Sequence, residues 1–384
     1  MTGPSAEAPT SLPPSTTDVG PRPLADRSVA LIHEWFGATG GSEQVFLQMA
    51  ELVPHADRFV LWKDHDATVD RAIRESWLAK TPLRHSKVLA LPLMPLTWRT
   101  LTRRKYDVVL SSSHAFAHTV KIGDPERTRH LSYVHSPARY VWSPDLDQRG
   151  ASAGLAPMRA ALQAGDKRLS RHVHGYAANS LEVRARIRRY WGRDATVINP
   201  PVEVDYFAAA PPAVRDQART YLLGVGRWIP YKNFDLMIEI AAAARLPLVI
   251  AGGGPEEDNL RRLASRVDVP VEFEVKPTTE RLRELYWGAS ALLYPALEDF
   301  GIIPVEAQAC GTPVVGWARG GLLETVVTGE TGFLLDSGDP GAYVDPIRRA
   351  AQLPAQAATT NAQRFTPQGF RANMARWLDE QASS

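Results

Sequence analysis

Short apolar segments alternate with helical patterns through most of this chain. Ser28–His33 has the composition of a buried parallel strand, and a glycine-rich loop from Gly37 to Gly41 follows it. Ser42 then opens an amphipathic helical pattern, for which it is the predicted N-cap. Because strands joined through helices pair in parallel, this recurring succession predicts an α/β protein with doubly wound, Rossmann-like sheets.

A proline-rich segment at 198–218 separates two series of strands and helices and is the predicted linker. Ligands of doubly wound sheets bind at the carboxyl ends of the strands, so the loops of both halves are expected to face one cleft. The N-terminus is rich in Pro, Ser, Thr and Ala, as disordered segments are. The predicted organisation is a disordered tail at 1–27, a first Rossmann-like domain at 28–205, a second at 206–366, and a C-terminal helix at 367–384 that packs back on the first domain.

Composition excludes several classes of protein. The 44 Lys and Arg nearly balance the 42 Asp and Glu, so a pervasive basic surface for nucleic acid is not expected. Cys310 is the single cysteine, which excludes an intrachain disulfide or a cysteine-rich metal site and favours a reducing compartment. No apolar run approaches the ~18 residues of a membrane-spanning helix, and no signal-peptide pattern is present. We therefore expect a cytoplasmic protein.

The most informative motif is the segment at 298–306. Glu298 follows a predicted strand, and the next helix begins a few residues later, so its first backbone N–H groups favour an anion. Glu298 and Glu306 flank this position, and a carboxylate can accept two hydrogen bonds from the vicinal hydroxyls of a sugar or ribose. From the residues alone, the alternative is that Glu306 is a first-turn acid and Glu298 a solvated loop residue.

Four motifs occur in order along the chain: GGSE at 40–43, GRWIPYK at 226–232, AGGGPE at 251–256 and EDFGIIPVEAQACGTPVV at 298–315. This set resembles the retaining nucleotide-sugar glycosyltransferases of family 4, which have the two-domain GT-B architecture. The resemblance extends over residues 28–340. HEWFGATGGSEQV, YVHSPARYVW and INPPVEVDYF make the chain most similar to bacterial mannosyltransferase-like members of that family.

The resemblance implies roles for residues of the second, donor-binding domain. Arg227 and Lys232 are similar to the basic pair that grips the donor diphosphate, where new negative charge develops. Glu306 is similar to the residue that holds the ribose diol, and Glu298 to the one that contacts donor-sugar hydroxyls. Backbone N–H groups for the phosphates or the sugar would come from Phe300, Gly301 and Ile302.

The first, acceptor-side domain contributes a glycine loop and two histidines to this interpretation. Gly40 and Gly41 resemble the loop that closes over the donor phosphate, where the lack of a Cβ permits close approach. His114 and His135 each follow an apolar strand, and either matches a family histidine near the reacting sugar. A buried histidine with a structural role is the alternative for each of them.

The predicted base pocket departs from the family pattern. Val275-Lys276 stands where the family often has glycine followed by a basic residue. Lys276 retains the charge of a donor-binding residue, whereas Val275 lacks the conformational freedom of glycine. The nucleobase of the donor therefore stays open.

A metal ion is not expected in the site. Asp64-His65-Asp66 mimics the DxD metal site of the other large glycosyltransferase fold, because clustered carboxylates suit hard cations. In the family that this chain resembles, basic residues and a helix N-terminus neutralise the diphosphate without metal. We therefore predict no cofactor, and the nucleotide sugar serves as co-substrate.

A basic and apolar stretch raises the question of membrane contact. Arg99, Arg103, Arg104 and Lys105 lie next to the apolar run at 89–96, and together they are compatible with a peripheral contact to lipid headgroups at the inner face of the membrane. The alternative is an ordinary solvated helix face that packs on the core.

The predicted function is retaining, metal-independent transfer of a hexosyl group, with GDP-mannose as the favoured donor. The group would pass to a hydroxyl acceptor in glycan, glycolipid or natural-product biosynthesis. Two alternatives belong to other classes: a nucleotide-sugar epimerase of the same architecture, and a non-catalytic subunit that binds nucleotide sugars.

Overall fold

The computed structural model describes residues 24–37, 40–64, 72–143, 156–214 and 217–383. Most of the predicted N-terminal tail lies outside these ranges, as do His65 and Asp66 of the DxD-like motif. Within the tail as predicted, Leu24–Asp26 forms a short 3-10 helix, and Leu24 packs against the first core. Residues 24–26, which the sequence assigns to the disordered tail, are therefore helical.

The first domain is built on a seven-stranded parallel sheet with the order β3-β2-β1-β4-β5-β6-β7. Its strands are β1 Val29–Phe36, β2 Asp57–Lys63, β3 Ile73–Glu75, β4 Val108–Ser113, β5 Arg129–Val134, β6 Gly175–Ala178 and β7 Thr196–Val197. Alternate residues of β1 enter different cores: Val29 and Leu31 face one side, and Ala30 and Ile32 face the other. Burial on both faces explains why this strand is continuously apolar.

Within the described ranges, six helices of this domain cover the two faces of the sheet. They are α1 Gly41–Leu52, α2 Lys87–Ala90, α3 Met94–Arg99, α4 Arg139–Trp142, α5 Ala156–Leu169 and α6 Leu181–Trp191. The prediction that Ser42 caps α1 is wrong, because the helix begins one residue earlier and Gly40 is the N-cap. The Ser42 hydroxyl instead donates to the Glu43 carboxylate at 2.7 Å. Ser42 is therefore the second residue of the helix and not its cap.

The second domain has a six-stranded sheet with the order β10-β9-β8-β11-β12-β13, and all its strand pairs are parallel. Its strands are β8 Tyr221–Arg227, β9 Leu248–Gly253, β10 Val271–Val275, β11 Ala289–Tyr294, β12 Val314–Trp317 and β13 Gly332–Leu335. The remaining helices are α7 Val204–Ala208, α8 Phe234–Ala244, α9 Glu257–Ala264, α10 Thr279–Gly288, α11 Ile302–Ala309, α12 Leu322–Thr325, α13 Val344–Ala350, α14 Ala355–Ala362 and α15 Pro367–Ser383. Two doubly wound α/β domains are therefore present, as the sequence predicts.

The segments at the predicted domain boundaries pack on opposite domains. Helix α7, inside the proline-rich linker, buries Val204 and Phe207 in the core of the second domain. Helix α15 buries Phe370, Met374 and Trp377 in the core of the first domain. The chain thus crosses between the domains a second time before it ends. Truncating a buried aromatic of this kind typically costs about 3–5 kcal/mol of unfolding free energy.

In the parts of the chain described above, no helix combines the length and apolar character needed to cross a bilayer.

Candidate functional site

The strand order brings the predicted site residues together. Each sheet reverses its strand order at one point, between β1 and β4 in the first domain and between β8 and β11 in the second. Ligands of open α/β sheets bind at such points, beyond the carboxyl ends of the strands. The loops after these four strands line a cleft of about 1210 Å³ between the domains. The predicted site residues that line it are Gly40, Gly41, His114, His135, Arg227, Lys232, Lys276, Glu298, Phe300, Gly301 and Ile302.

Lys232 and Glu298 form an ion pair at the base of the donor side. The Lys232 ammonium also donates to the Tyr294 hydroxyl at 3.1 Å, and the lysine side chain is only 9% exposed. Burial alone would lower the pKa of Lys232, but Tyr294 and Glu298 outweigh it and raise the pKa above its ordinary value. Lys232 is therefore a permanent cation, and its charge is already shared with a carboxylate that faces the cleft.

Arg227 presents a different kind of cation to the same cleft. It is the last residue of β8, and its side chain is exposed. In the described part of the chain, no carboxylate lies within ion-pair distance of its guanidinium. An exposed guanidinium without a carboxylate partner can bind a phosphate through its planar fork of donors.

Lys276 stands at the far edge of the donor side, directly after β10. Its backbone has φ +48°, in the left-handed region, and its N–H donates to the Gly252 carbonyl at 2.6 Å. A lysine rarely adopts this conformation, so the loop holds it against a conformational preference. The left-handed backbone conformation therefore occurs at Lys276, the residue after Val275, although lysine disfavours it.

Helix α11 points its N-terminus at the cleft. Gly301 is its N-cap with φ +95°, a conformation that favours glycine, and Ile302 and Ile303 line the cleft. Phe300 anchors the loop from behind by packing edge-on against Phe365, with ring centroids 5.3 Å apart. The first N–H groups of a helix lack intrahelical partners, so this end of α11 suits an anion.

The glycine loop of the first domain reaches across the cleft to this helix. A Cβ atom on Gly41 would lie 2.4 Å from Cδ1 of Ile302, which is much closer than two carbon atoms can approach. A side chain at residue 41 would therefore require the end of the Ile302 side chain, on the opposite domain, to shift.

Three histidines lie together on the acceptor side. His33 Nδ1 is 3.0 Å from the Ser112 hydroxyl, and the same hydroxyl is 2.8 Å from Nε2 of His135. The ring of His114 lies 5.3 Å from that of His33 and 6.1 Å from that of His135. Ser112 therefore links a fully buried histidine to one that lines the cleft. From the sequence, His33 could be either structural or on the acceptor side, and Ser112 carried no signal of its own; the structure places His33 in β1 and Ser112 in β4.

Burial determines the charge state of this cluster. It lowers the pKa of His33 and holds the pKa values of His114 and His135 well below the ordinary value for histidine. At neutral pH these rings are uncharged, so they act as hydrogen-bonding groups and not as cations. The two sides of the cleft thus have different electrostatic character.

Glu34 is a buried carboxylate that the sequence interpretation did not include. It is fully buried, and its oxygens accept hydrogen bonds from the backbone N–H groups of His114, Ala115 and Ala117 at 2.8–3.1 Å. The Ser113 hydroxyl donates to it as well, at 3.2 Å. Glu34 therefore holds the turn after β4 and fixes the place of His114.

One cluster has the composition of a metal site. Among the described residues, possible ligand atoms of His33, Glu34 and His114 lie within 4.8 Å of one another. The hydrogen bonds that Glu34 accepts from the turn after β4 already use both of its oxygens. This donor set fits a structural carboxylate better than a metal ligand. Asp64, at the end of β2, is exposed, and the other residues of its motif lie outside the described ranges.

Glu306 lies one turn further along α11 and is not among the residues that line the cleft. It follows Ile302 by four residues, so the two share a helix face. The Tyr286 hydroxyl donates to the Glu306 carboxylate at 2.8 Å. Burial raises the pKa of Glu306 to about 7, although this hydrogen bond opposes the shift. The alternative in which Glu306 is only a first-turn acid does not hold, because α11 begins at Ile302 and Glu306 lies beyond its first turn.

Residues 210–365 match the family model described as Glycosyl transferases group 1. These residues form a group 1 glycosyltransferase domain. The match contains both GRWIPYK and the segment that begins at Glu298, and the predicted glycosyltransferase domain is confirmed.

Curated relatives carry a more specific name. The chain is 37% identical over 171 residues to a D-inositol 3-phosphate glycosyltransferase of Mycolicibacterium smegmatis, and the aligned residues cover 39% of this chain and 38% of that protein. It is 31% identical over 232 residues to a protein of the same name from Streptomyces avermitilis, and the aligned residues cover 53% of this chain and 50% of the relative. The chain thus spans half or less of the length of these relatives.

Solved structures show the same two-domain fold. The Anabaena protein HepE in complex with UDP superposes with a TM-score of 0.67 at 19% identity and covers 91% of this chain and 100% of its own. WaaG, a glycosyltransferase of lipopolysaccharide biosynthesis, has a TM-score of 0.68 at 16% identity and covers 91% of this chain and 99% of its own. The predicted GT-B architecture is therefore confirmed over nearly the whole chain.

Proposed function

We propose that this protein transfers a hexosyl group from a nucleotide diphosphate sugar to a hydroxyl acceptor. The observation that carries the proposal is the junction of Arg227, Lys232 and the N-terminus of α11 in one cleft. A cationic fork, a buried ammonium and unpaired backbone N–H groups together suit a departing diphosphate. The relatives named as glycosyltransferases and the HepE complex with UDP support the same class of donor.

The transfer proceeds with retention of the anomeric configuration. The bond between the anomeric carbon and the diphosphate oxygen breaks while the acceptor oxygen bonds to the same face. The acceptor proton passes to the departing phosphate oxygen, which leaves as the nucleoside diphosphate. The Glu298 carboxylate pairs with Lys232, which suits it to accept hydrogen bonds from sugar hydroxyls more than to attack the anomeric carbon.

His114 and His135 serve as uncharged partners of the reacting sugar or the acceptor. Both line the cleft opposite the donor loops, and their pKa values lie well below the ordinary value. A neutral imidazole donates from one nitrogen and accepts at the other, so it can bind a hydroxyl without adding charge beside the diphosphate.

The reaction requires no divalent metal in this proposal, because Arg227, Lys232 and the helix N-terminus supply the positive charge. A chelator tests this directly: with EDTA present, turnover should stay unchanged. Loss of activity that Mn²⁺ restores would contradict the proposal and implicate Asp64 or the cluster of His33, Glu34 and His114.

A mannose-like hexose carried by GDP remains the proposed donor. A thermal-shift series with GDP, UDP, ADP and dTDP tests the base, because a ligand raises stability according to its concentration relative to its dissociation constant. Arg227→Ala serves as the control variant and should reduce the shift with every diphosphate. A larger shift with UDP than with GDP would overturn the assignment of guanine.

Product analysis separates transfer from the epimerase alternative, which the family match and the relatives do not support. Incubation with donor alone should leave the sugar unchanged apart from slow hydrolysis, and addition of a hydroxyl acceptor should produce a glycoside. Conversion of the donor sugar into an epimer without an acceptor would contradict the proposal.

We also propose that the first domain contacts an anionic membrane surface at its α2–α3 region. Exposed apolar side chains gather there: Leu89 is 65% exposed, Leu96 53% and Trp77 39%. Leu89 lies on α2 and Leu96 on α3, with a short 3-10 turn between them, and the Trp77 indole donates to Thr100, directly after α3, at 3.0 Å. Apolar residues thus occupy the outer face of the segment as well as its core face.

The charge around this surface is complementary to anionic lipid. No Asp or Glu occurs between Glu75 and Asp107. Of the four cations predicted to form the surface, Arg104 pairs with Asp57 at 2.7 Å and Lys105 with Asp124 at 3.5 Å. Arg99 and Arg103 are exposed and are the cations left to meet lipid headgroups.

Vesicle co-sedimentation tests this contact. The wild type should bind phosphatidylglycerol vesicles more strongly than phosphatidylcholine vesicles, and the double substitution Leu89→Ser and Leu96→Ser should weaken that binding. Leu323→Ser is the matched control, because Leu323 is 61% exposed on α12 of the second domain. Equal binding by both variants would contradict the proposed surface.

A further inference from the structure

Asp299 joins the two domains through its side chain. It lies between Glu298 and Phe300 in the loop before α11 and is 8% exposed. One carboxylate oxygen accepts from Arg139, with Nε at 3.1 Å and Nη2 at 2.5 Å. The other accepts from Nη1 of Arg186 at 2.6 Å. Both arginines belong to the first domain, so two cations from one domain hold a carboxylate of the other.

The two arginines differ in what else they contact. Arg186, on α6, is held by Glu182 of the same helix at 2.9 Å, so its position is fixed within the first domain. Arg139 is the first residue of α4, lines the cleft, and has Nη1 3.5 Å from the Tyr231 hydroxyl. Arg139 therefore reaches both donor loops of the second domain, the loop after β8 and the loop after β11.

The charges of this cluster compensate one another in a buried position. Arg139 and Arg186 carry two positive charges, and Asp299 and Glu182 carry two negative ones. Burial alone would raise the pKa of Asp299, but the two arginines outweigh it and hold the pKa below its ordinary value. Separating the domains here would break both ion pairs of Asp299 together and expose its carboxylate and the two guanidinium groups to water.

Two consecutive residues of the loop before α11, Glu298 and Asp299, are thus held by partners on opposite domains. Glu298 is held from within its own domain by Lys232, whereas Asp299 is held from the other domain by Arg139. The contact of Gly41 with Ile302 lies on the same loop and helix end. The arrangement of the donor-binding residues therefore depends on the approach of the first domain.

We propose that Arg139 and Asp299 are positioning residues, whose ion pair across the cleft couples closure of the two domains to assembly of the donor site. The inference rests on the proposed function, since it assigns these loops to the donor. When the domains separate, Arg139 leaves Asp299 and Tyr231, and the loops after β8 and β11 lose their shared partner. When they close, the pair re-forms and sets Glu298 and the first turn of α11.

Interdomain distance measurements test this coupling independently of turnover. Two spin labels, one on each domain, would report the distance distribution with and without GDP or UDP; Cys310 is buried and does not compete for labelling. In the wild type the nucleotide should favour the short distance. Arg139→Gln and Asp299→Asn should each shift the distribution to longer distances.

Arg184→Gln is the matched control, because Arg184 lies on α6 and pairs with the exposed Asp194 at 2.8 Å, away from the cleft. It should leave the distance distribution and the kinetics as in the wild type. Arg139→Lys keeps the charge but loses the planar fork, so it should recover part of the closed population. Asp299→Asn removes the carboxylate that the two arginines share. If the Asp299→Asn variant folds poorly, Arg139→Gln provides the test.

Steady-state kinetics give the second readout. Arg139→Gln and Asp299→Asn should each lower kcat/KM for the donor by about tenfold or more, and the double variant should lose little beyond either single one. Unchanged distances and kinetics, or a lower Tm alone, would overturn the coupling and leave the pair a structural contact. Absence of transfer by the wild type would refute the proposed function, while the distances would still decide the coupling.

Discussion

The two sides of the cleft differ in the charge of the side chains that line them. The second domain presents the basic side chains Arg227, Lys232 and Lys276, together with a helix N-terminus. The first domain presents a glycine loop and two half-buried histidines that are uncharged at neutral pH. Under the proposed function, this difference assigns charge neutralisation to the second domain and hydroxyl recognition to the first. The family match follows the same division, because it covers residues 210–365 and leaves the first domain outside.

Lys232→Ala should have the largest effect on the charged side. Loss of a preorganised cation at the diphosphate should lower kcat by about 10²–10³. The substitution also leaves Glu298 without its ion-pair partner, so the Tm should fall as well. Measured kinetics and thermal unfolding of the variant check both effects.

A second variant separates activity from stability. Combining Lys232→Ala with Glu298→Gln removes the unpaired charge, so the Tm should recover while kcat stays low. If the double variant regains turnover, the ion pair supports the fold and the cation has no role in catalysis.

Gly41→Ala tests the contact between the two sides. The added methyl group would overlap Cδ1 of Ile302, so the domains should close less completely and kcat/KM should fall by about tenfold. Ile302→Ala makes room for the methyl group and should restore part of the loss in the double variant. If kcat/KM does not recover in the double variant, the close contact does not limit closure.

Glu306→Gln tests the titration of a buried group on the donor side. Burial raises the pKa of Glu306 from 4.5 to about 7, so between these values the folded protein holds a proton that the unfolded chain has released. The contribution of this proton to stability is full below the unfolded pKa and is lost as the pH rises through the folded pKa. Glutamine does not titrate, so the Tm of the variant relative to the wild type should rise across this window.

Thermal unfolding of both proteins at pH values from about 5 to 8 provides the measurement. Asp379→Asn, a substitution of a carboxylate on α15 far from Glu306 in the chain, is a control that should not reproduce the trend. A constant difference between wild type and Glu306→Gln over the whole range would contradict the raised pKa.

His114→Gln and His135→Gln should have the smallest effects, and they sharpen the contrast between the two sides. An amide can still donate and accept hydrogen bonds, so kcat should fall by no more than about tenfold. Because burial holds both pKa values well below 6.5, neither histidine should produce an inflection near neutral pH in the kcat profile. A wild-type inflection between about pH 6 and 7 that one variant abolishes would show a titrating histidine.

Sequence patterns predicted the elements that carry the donor site more completely than those around them. The helix predicted to begin a few residues after Glu298 is found as α11, and the strand predicted to precede Glu298 is found as β11. β10 was missed, because Val271–Val275 is a partly exposed strand at the edge of its sheet and lacks a continuous apolar run. The sequence predicts Ser42 as the N-cap of α1, because serine is a preferred capping residue. The helix instead begins at Gly41, which contacts the other domain, and capping preferences do not describe such a contact.

The sequence by itself determined the fold class and eleven of the residues that line the cleft, because both follow from local patterns at the ends of strands. Only the tertiary structure decided which of these residues are charged and free, which are paired, and which are neutral. Lys232 is held by Glu298, His114 and His135 are neutral through burial, and Arg139 meets Asp299 across 160 positions of the chain. Pairing and burial depend on what other segments bring to a residue, and this is set when the two domains face each other.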